Sequence, residues 1–349
     1  MKIPSHFFMQ HRKFILAGIL FLSSCGLFDK DQRRDQFFLK GKIAIEQAEW
    51  EKAEQYFGQA IEMDPNFVDA YNNRGVCRQK LGRVGAAIED FNSALAYDPN
   101  FTGAYYNRAQ AFLDYKEYYQ CLRDIQQVAK VYPDTLPVFF TEGLAKMALY
   151  EYDDAIIAFG KAIQKDSTNE ELWINRASNY YYLGDYSAAK ADIQKAMELD
   201  EKNPFAFNVR GMIAAAEGDY QSAIKDYGQA LIIKGGLPFV LNNRAFAHLQ
   251  MDQLGAAQTD INNSIQIDPY NQWAYRNKAY FFIKKKNYSR AIALLEKVYE
   301  KDPNIPLTTN LLAYAYLQQG QLDKACAWHD IYISKEEIME AVYEINTCI

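Results

Sequence analysis

The chain has 349 residues, of which 49% are hydrophobic and 23% are charged, a composition typical of folded proteins and not of disordered ones. Its 26 tyrosines and 21 phenylalanines supply bulk for a large core, and its length alone suggests two or three domains. The formal net charge of −6 argues against a general nucleic-acid binder, because such proteins hold phosphates with basic side chains.

The first 24 residues have the three parts of a secretory signal. They contain no Asp or Glu, they carry Lys2, Arg12 and Lys13, and residues 14–22 form an uninterrupted apolar run. A helix over that run would be about 14 Å long, whereas the apolar core of a bilayer is about 30 Å thick. A basic start, a short apolar run and small residues therefore predict a signal peptide over residues 1–24.

The signal ends in the sequence LSSC at residues 22–25, which resembles the lipobox of bacterial lipoproteins. The resemblance implies that Cys25 is acylated, with palmitate among the chains, and becomes the first residue of the mature protein. Gly26 follows in place of the Asp that retains some lipoproteins at the inner membrane, so we expect an outer-membrane lipoprotein on either face. Residues 25–33 are a short linker in this interpretation. An ordinary signal peptide with a chance cysteine is the alternative.

A period of 34 residues organises the chain from Arg34 to Met339. Nine lines of 34 residues fit this range without a gap. They begin at Arg34, Val68, Thr102, Leu136, Glu170, Pro204, Pro238, Gln272 and Pro306. Self-similarity at a fixed period of this length is the sequence pattern of repeat architectures.

Two groups of positions hold residues of similar size throughout these lines. Position 8 holds only Gly or Ala, position 20 holds Ala or Cys, and positions 4 and 24 are mostly large and apolar. Positions 4, 8 and 11, and again 20, 24 and 27, have the spacing of one stripe along a helix. Each line therefore predicts two helices, in which a small residue on one helix admits a large residue from its neighbour.

Turn residues separate the predicted helices. Four lines have a glycine between the two column groups, and four close with Asp-Pro, where proline cannot continue a helix. A 34-residue unit of two helices with these columns resembles the tetratricopeptide repeat (TPR), and the resemblance covers residues 34–339. It implies an all-α, right-handed superhelical solenoid of nine helix-turn-helix repeats with a concave face lined by the first helices. Such a solenoid is one array and not two or three separate domains.

Positions 7 and 23 vary together. The five lines with Arg at position 7 are also the only ones with Asp at position 23. In an antiparallel hairpin that turns near position 15, these positions lie at the same level. We predict structural ion pairs, within or between repeats, joining Arg74 to Asp90, Arg108 to Asp124, Arg176 to Asp192, Arg210 to Asp226 and Arg244 to Asp260.

Asparagine recurs at position 6. It fills five of the nine lines, as Asn73, Asn107, Asn175, Asn243 and Asn277. At 100° per residue this position points away from the local core, and asparagine is a poor helix former, so nothing local favours it there. Its amide both donates and accepts hydrogen bonds, as a peptide backbone requires. The column is similar to the asparagine ladders of some TPR proteins and predicts a peptide-binding groove. A solvated polar face is the alternative.

Other features of the array refine this prediction. Tyr181 and Tyr182 would add aromatic contacts to the groove, whereas the line from Leu136 breaks the ladder with Thr141 and Glu142. Gly235 and Gly236 are the candidate hinge, because glycine tolerates unusual backbone angles. Position 5 lacks the lysines of the carboxylate clamp in chaperone-binding TPR proteins, so we do not expect that mode of recognition.

The C-terminal segment and the remaining cysteines are further features of the chain. Ser334 opens a capping-box pattern followed by apolar residues at helical spacing, so residues 334–349 predict a capping helix and tail; a docking helix for a partner is the alternative. Cys77, Cys121 and Cys326 fit as small buried residues without zinc-site spacing, and a Cys326–Cys348 disulfide is an alternative in an oxidising compartment.

No catalytic or metal-binding motif occurs in the chain, and its two mature histidines, His248 and His329, fall in core columns. We therefore expect no enzyme activity, no cofactor and no metal. The sequence predicts a non-catalytic scaffold of the cell envelope that binds a client protein or peptide in the concave face, with no nucleic acid as partner. A structural subunit of an envelope complex, which uses edge contacts or self-association, is the alternative.

Overall fold

The computed structural model describes residues 30–335 together with Tyr343 and Ile345. The predicted signal peptide, Cys25, Cys348 and most of the predicted capping segment lie outside the described residues. Within the described ranges every regular element is an α-helix, which confirms the predicted all-α class.

The described residues form two compact units, divided between Glu151 and Tyr152. The first unit contains α1 (Lys30–Glu46), α2 (Trp50–Met63), α3 (Val68–Lys80), α4 (Val84–Tyr97), α5 (Thr102–Asp114), α6 (Tyr118–Val131) and α7 (Leu136–Ala148). The second contains α8 (Tyr152–Lys165), α9 (Glu170–Tyr182), α10 (Tyr186–Leu199), α11 (Pro204–Ala216), α12 (Tyr220–Ile233), α13 (Pro238–Gln250), α14 (Leu254–Ile267), α15 (Gln272–Lys284), α16 (Tyr288–Lys301), α17 (Thr308–Gln318) and α18 (Leu322–Ser334).

The division into units was not predicted from the single period. It falls inside the fourth repeat, which has Glu142 and Ala158 where five other repeats have Arg and Asp. The break that the sequence shows in this repeat therefore coincides with the boundary between the two units.

The helices follow the 34-residue period closely. In repeats 2 to 8 the first helix begins at position 1 of its line, and in all nine repeats the second helix begins at position 17. The first repeat corrects the sequence interpretation, because α1 begins at Lys30 and residues 30–33 are helical instead of linker. The last repeat also departs, since α17 begins two residues late, after Leu307 takes a left-handed backbone with φ 63°.

Every hairpin turns through a residue with positive φ at position 15, with values between 55° and 82°. Four of these residues are the predicted turn glycines, and five are not glycine. The nine residues are Ala48, Gly82, Lys116, Tyr150, Gly184, Gly218, Asp252, Lys286 and Gly320. The turn geometry is therefore common to all repeats, although the sequence marks only some of them with glycine.

The hairpins pack by the small-to-large complementarity that the columns predict. A methyl group added at Gly75 would lie 2.6 Å from the ring of Phe91, and one added at Gly211 would lie 2.7 Å from the ring of Tyr227. Both rings are buried, with exposed fractions of 0% and 2%. Because atoms cannot approach so closely, the absence of a side chain at position 8 lets the aromatic residue at position 24 fill the space between the two helices.

The predicted hinge lies inside the second unit. Lys234 ends α12 with an extended backbone, Gly236 has φ 69°, and Leu237 is buried where the chain enters α13. Movement about Gly235 and Gly236 stays a prediction. The unit boundary lies elsewhere, in the fourth repeat.

Cysteine and histidine take structural positions. Cys77 and Cys121 are free and fully buried, and burial raises the pKa of each thiol to about 12. Cys326 is half-buried and disulfide-bonded, so the expectation that it is simply a small buried residue is wrong. The partner in the alternative that the sequence offers, Cys348, lies outside the described residues. His248 contacts Oε1 of Gln253 through Nδ1 at 2.6 Å, and His329 is half-buried.

Candidate functional site

Within each unit, first helices of consecutive repeats lie side by side. In the first unit α3 contacts α5 and α5 contacts α7; in the second unit α9, α11, α13, α15 and α17 contact one another in order. Each second helix contacts the first helix of the following repeat, for example α12 with α13 and α14 with α15. We call the surface of the first helices at positions 2, 5, 6 and 9 the inner face.

The five predicted Arg–Asp pairs are all present, each within one repeat. In the pair of Arg176 with Asp192, Nε and Nη2 donate to the two carboxylate oxygens, both at 2.7 Å. The pairs of repeats 2, 3, 6 and 7 have the same two-point geometry, with distances of 2.6–3.0 Å. The aspartates are 2–7% exposed. Two parallel hydrogen bonds fix the angle between guanidinium and carboxylate, so these pairs set the spacing of the two helices.

Four of these five pairs have an aromatic ring beside the arginine. The guanidinium of Arg176 lies 5.0 Å from the ring of Trp173, and that of Arg210 lies 5.0 Å from the ring of Phe207. In the second repeat, burial outweighs the hydrogen bonds from Arg74 and raises the pKa of the Asp90 carboxyl above its usual range. Because each aspartate is buried and held by two hydrogen bonds from its arginine, we interpret the pairs as structural.

The asparagines at position 6 bind inside the array instead of facing solvent freely. Asn107 donates through Nδ2 to Oδ1 of Asn72 at 2.9 Å. Asn243 donates in the same way to Asn208 at 3.0 Å. In both cases position 6 of one repeat binds position 5 of the repeat before it. The predicted ladder is therefore partly a row of contacts between repeats, and only the half-buried Asn73, Asn107 and Asn243 retain exposed surface.

Two members of the predicted groove are corrected by their burial. Asn175 is 4% exposed and donates to the carbonyl of Glu171, one turn earlier on α9. Asn277 is fully buried, donates to the carbonyl of Asn242 and accepts from the guanidinium of Arg276. Neither amide is available to a bound peptide. The angle around a single helix indicated the direction of these side chains, but the neighbouring repeat determines how far they are covered.

Tyr181 and Tyr182 are also not free groove residues. The ring of Tyr181 lies against Tyr186 and Tyr182, with centroids 5.8 and 5.3 Å away, and belongs to the core between repeats. Burial raises the pKa of its hydroxyl well above the usual range. The ring of Tyr182 stacks on Tyr152 at 5.0 Å. Both side chains hold helices together.

The inner face of the second unit carries a row of aromatic side chains that sequence reasoning missed. Phe205, Phe239 and Trp273 occupy position 2 of three consecutive repeats, on the first turns of α11, α13 and α15. Phe205 and Phe239 stack with centroids 6.0 Å apart and an interplanar angle of 8°. Phe239 and Trp273 are 39% and 37% exposed. The sequence feature that could have revealed this row is an aromatic residue that recurs every 34 positions. Exposed aromatic residues in a row are typical of protein-binding surfaces.

The described part of the chain meets neither the requirements of a metal site nor those of a membrane-spanning helix. The described residues contain no group of three His, Cys, Asp or Glu side chains that could hold a metal ion. Among the described helices, none combines the length and the apolar content that crossing a membrane requires.

Comparison with known proteins agrees with the architecture. Sequence models of the tetratricopeptide repeat match residues 37–67, 68–101, 174–238 and 282–328, together about half of the chain. Tetratricopeptide repeat protein 16 of Macaca fascicularis is 24% identical over 178 residues, 49% of this chain and 20% of that protein. The lipoprotein NlpI homolog of Haemophilus influenzae is 30% identical over 82 residues, 24% of this chain and 26% of that protein. The chain thus spans a fifth to a quarter of these relatives.

Two solved structures share the fold. The Cut9–Hcn1 hetero-tetramer of the APC/C is 18% identical with a TM-score of 0.59, covering 80% of this chain and 55% of that chain. PilF of Pseudomonas aeruginosa is 19% identical with a TM-score of 0.51, covering 65% of this chain and 98% of that chain. The repeat period, the paired helices and these matches agree, and the chain belongs to the tetratricopeptide repeat family.

Proposed function

We propose that the protein is a non-catalytic scaffold of a bacterial cell envelope that binds an extended segment of a client protein on its inner face. The observation that carries the proposal is the row of Phe205, Phe239 and Trp273 on the inner face. Phe239 and Trp273 are exposed, and Asn243, one turn after Phe239 on α13, is half-buried. Aromatic rings supply apolar contact area, and a neighbouring amide can bind a peptide backbone.

Anchoring by lipid at Cys25 is the second part of the proposal. The sequence LSSC at residues 22–25 supports it, and so does the partial similarity to a protein described as a lipoprotein. The outer membrane is the proposed location, because Gly26 follows the cysteine. Metabolic labelling with an alkyne fatty acid tests the anchor, since the native chain should be labelled and Cys25→Ala should not.

The client site is tested by crosslinking the full-length protein in membranes and recovering its partners. The Phe239→Ala/Trp273→Ala variant should lose the client, because both rings present exposed surface on the inner face, and circular dichroism should show that it remains helical. The matched control is Ile157→Ala/Ile232→Ala, which removes two side chains that are 57% and 78% exposed on second helices. Capture that is equal for the two variants and the native chain would contradict the proposal.

A structural subunit that binds by its outer edges is the second candidate. Ile232 on α12 and Tyr270 in the loop before α15 are 78% and 82% exposed, which is unusual for large apolar side chains without a partner. In that case the Ile157→Ala/Ile232→Ala variant, and not the inner-face variant, would lose its partners in the same crosslinking experiment.

A further inference from the structure

Tyr343, close to the C-terminus, lies on the inner face. The backbone carbonyl of Tyr343 accepts a hydrogen bond from Nδ2 of Asn310 at 2.9 Å, and its backbone N–H donates to Oδ1 of the same amide at 3.3 Å. One carboxamide thus holds both polar backbone atoms of one residue. Asn310 is fully buried at position 5 of the last repeat, on α17.

The side chain of Tyr343 fills an aromatic slot on the same surface. Its ring stacks on Tyr314 with centroids 3.6 Å apart and an interplanar angle of 6°. Its edge meets Tyr280, with centroids 6.1 Å apart and an angle of 89°. Tyr280 and Tyr314 occupy position 9 of repeats 8 and 9, on α15 and α17. Two residues further on, Ile345 is 3% exposed.

This placement differs from that of a simple end cap. A cap would cover the last helix of the array, α18, whose apolar side would otherwise face solvent. The Tyr343 contacts instead involve first helices of two consecutive repeats. Recognition of one backbone unit by an amide and of one ring by a slot is the way a surface holds an extended peptide.

We propose that the inner face of repeats 8 and 9 is a binding subsite for an aromatic residue on an extended peptide, and that the chain's own Tyr343 occupies it as a tethered competitor. The proposal rests on the proposed function, because it names the chemistry that one part of the inner face selects. A client segment with a tyrosine or a similar ring would displace the C-terminal segment when it binds.

The tether determines how strongly the segment competes. A segment joined to its own site by a short length of chain acts at an effective concentration on the order of millimolar. A free peptide of similar intrinsic affinity therefore binds the native chain weakly. Removing the Tyr343 ring should open the subsite and raise the apparent affinity for that peptide at least tenfold.

The test uses the full-length chain and a fluorescein-labelled synthetic peptide with the sequence of residues 339–347, MEAVYEINT. Fluorescence anisotropy should show at least tenfold tighter binding to Tyr343→Ala than to the native chain. Tyr343→Phe is the matched control. It keeps the stacked ring, so it should bind the peptide as weakly as the native chain does. A peptide with alanine in place of tyrosine should not bind Tyr343→Ala.

A second substitution shows where the peptide binds. Adding Tyr314→Ala to Tyr343→Ala should abolish binding, since it removes the ring on which the tyrosine stacks. Thermal unfolding shows whether each variant is folded. If Tyr343→Ala is folded and binds the peptide no better than the native chain, or if it loses stability without binding, the segment is only structural and the proposal is wrong. Such a result would leave client capture through Phe239 and Trp273 standing, so the two proposals are judged separately.

Discussion

At the scale of single residues, the turn at position 15 requires a left-handed backbone, which glycine adopts more easily than other residues do. Five of the nine turn residues are not glycine, although all have positive φ. A left-handed backbone costs an L-residue roughly 1–2 kcal/mol, because its Cβ approaches the following carbonyl, whereas glycine has no Cβ. The turns with other residues are therefore places where the repeat geometry imposes local strain.

Lys116→Gly should stabilise the protein by about 1 kcal/mol, because it relieves this strain without removing a contact of the exposed side chain. Gly82→Ala is the matched reverse change at the same position of the preceding repeat. A methyl group there would meet nothing within 4 Å, so its cost of about 1 kcal/mol should come from the backbone alone. Urea unfolding followed by circular dichroism measures both shifts, and two shifts of the same sign would contradict the explanation.

The asparagines show what a sequence can predict about a single side chain. The angle of position 6 around its helix follows from helix geometry, which predicts that these side chains point away from the local core. Burial, however, depends on the neighbouring repeat. Asn277 is covered because Arg276 and the backbone of Asn242 reach it, whereas Asn243 keeps exposed surface. At position 5 the sequence shows only the absence of lysines, whereas in the structure Asn310 at this position binds the backbone of Tyr343.

At the scale of elements, the Arg–Asp pairs join the two helices of a hairpin. In repeat 5 the Asp192 side chain is 7% exposed and that of Arg176 is 20% exposed. Breaking a buried pair leaves one charge without its partner in a medium that solvates it poorly, so the loss exceeds that of a surface pair. The sequence could predict these partners because the two columns vary together in the same five lines.

Asp192→Ala should destabilise the protein by about 2–3 kcal/mol, since the Arg176 guanidinium would remain partly buried without its carboxylate. The matched control is Lys190→Ala on the same helix. Lys190 pairs with Glu217 at 2.5 Å, but the two side chains are 53% and 42% exposed, so its loss should cost at most about 1 kcal/mol. Urea titrations of the two variants give the comparison, and equal losses would show that the buried pairs contribute no more than exposed ones.

The helix bounds were predictable where the columns repeat and not where they end. The period places the second helix correctly in all nine repeats because each begins at the same position. The first helix starts at Lys30, four residues before the period begins at Arg34. In the last repeat Leu307 buries its side chain and delays α17 to Thr308. Features that occur in a single repeat do not recur at the 34-residue period, so the repeat pattern cannot predict them.

At the scale of the whole molecule, a repeat array is stabilised mainly by contacts between neighbours. Within each unit, most helices contact their partner in the hairpin and a helix of the next repeat, as α5 does with α6 and α7. Stability in such arrays is close to a sum of repeat and interface terms, so a local weakening spreads to adjacent repeats and fades beyond them. The division of the described residues at Glu151 is consistent with uneven coupling along the chain.

Cys77 and Cys121 provide a measure of this coupling. Both thiols are fully buried, and their pKa of about 12 leaves almost no thiolate at neutral pH, so iodoacetamide should label them only when the repeats open. Asp124→Ala weakens repeat 3 and should speed labelling of both cysteines at least tenfold, because repeat 2 loses the support of its neighbour. Asp260→Ala breaks the corresponding pair in repeat 7 and should leave both rates within about twofold.

Mass spectrometry of the labelled peptides, without reductant so that the disulfide of Cys326 stays intact, gives the two rates separately. If Asp260→Ala speeds labelling as much as Asp124→Ala does, the array opens as one cooperative body, and a client bound at one end would then stabilise every repeat. If only Asp124→Ala acts, binding at repeats 8 and 9 would protect those repeats while repeats 2 and 3 continue to open on their own. The number of repeats that a substitution destabilises therefore also indicates the number of repeats that a bound client can stabilise.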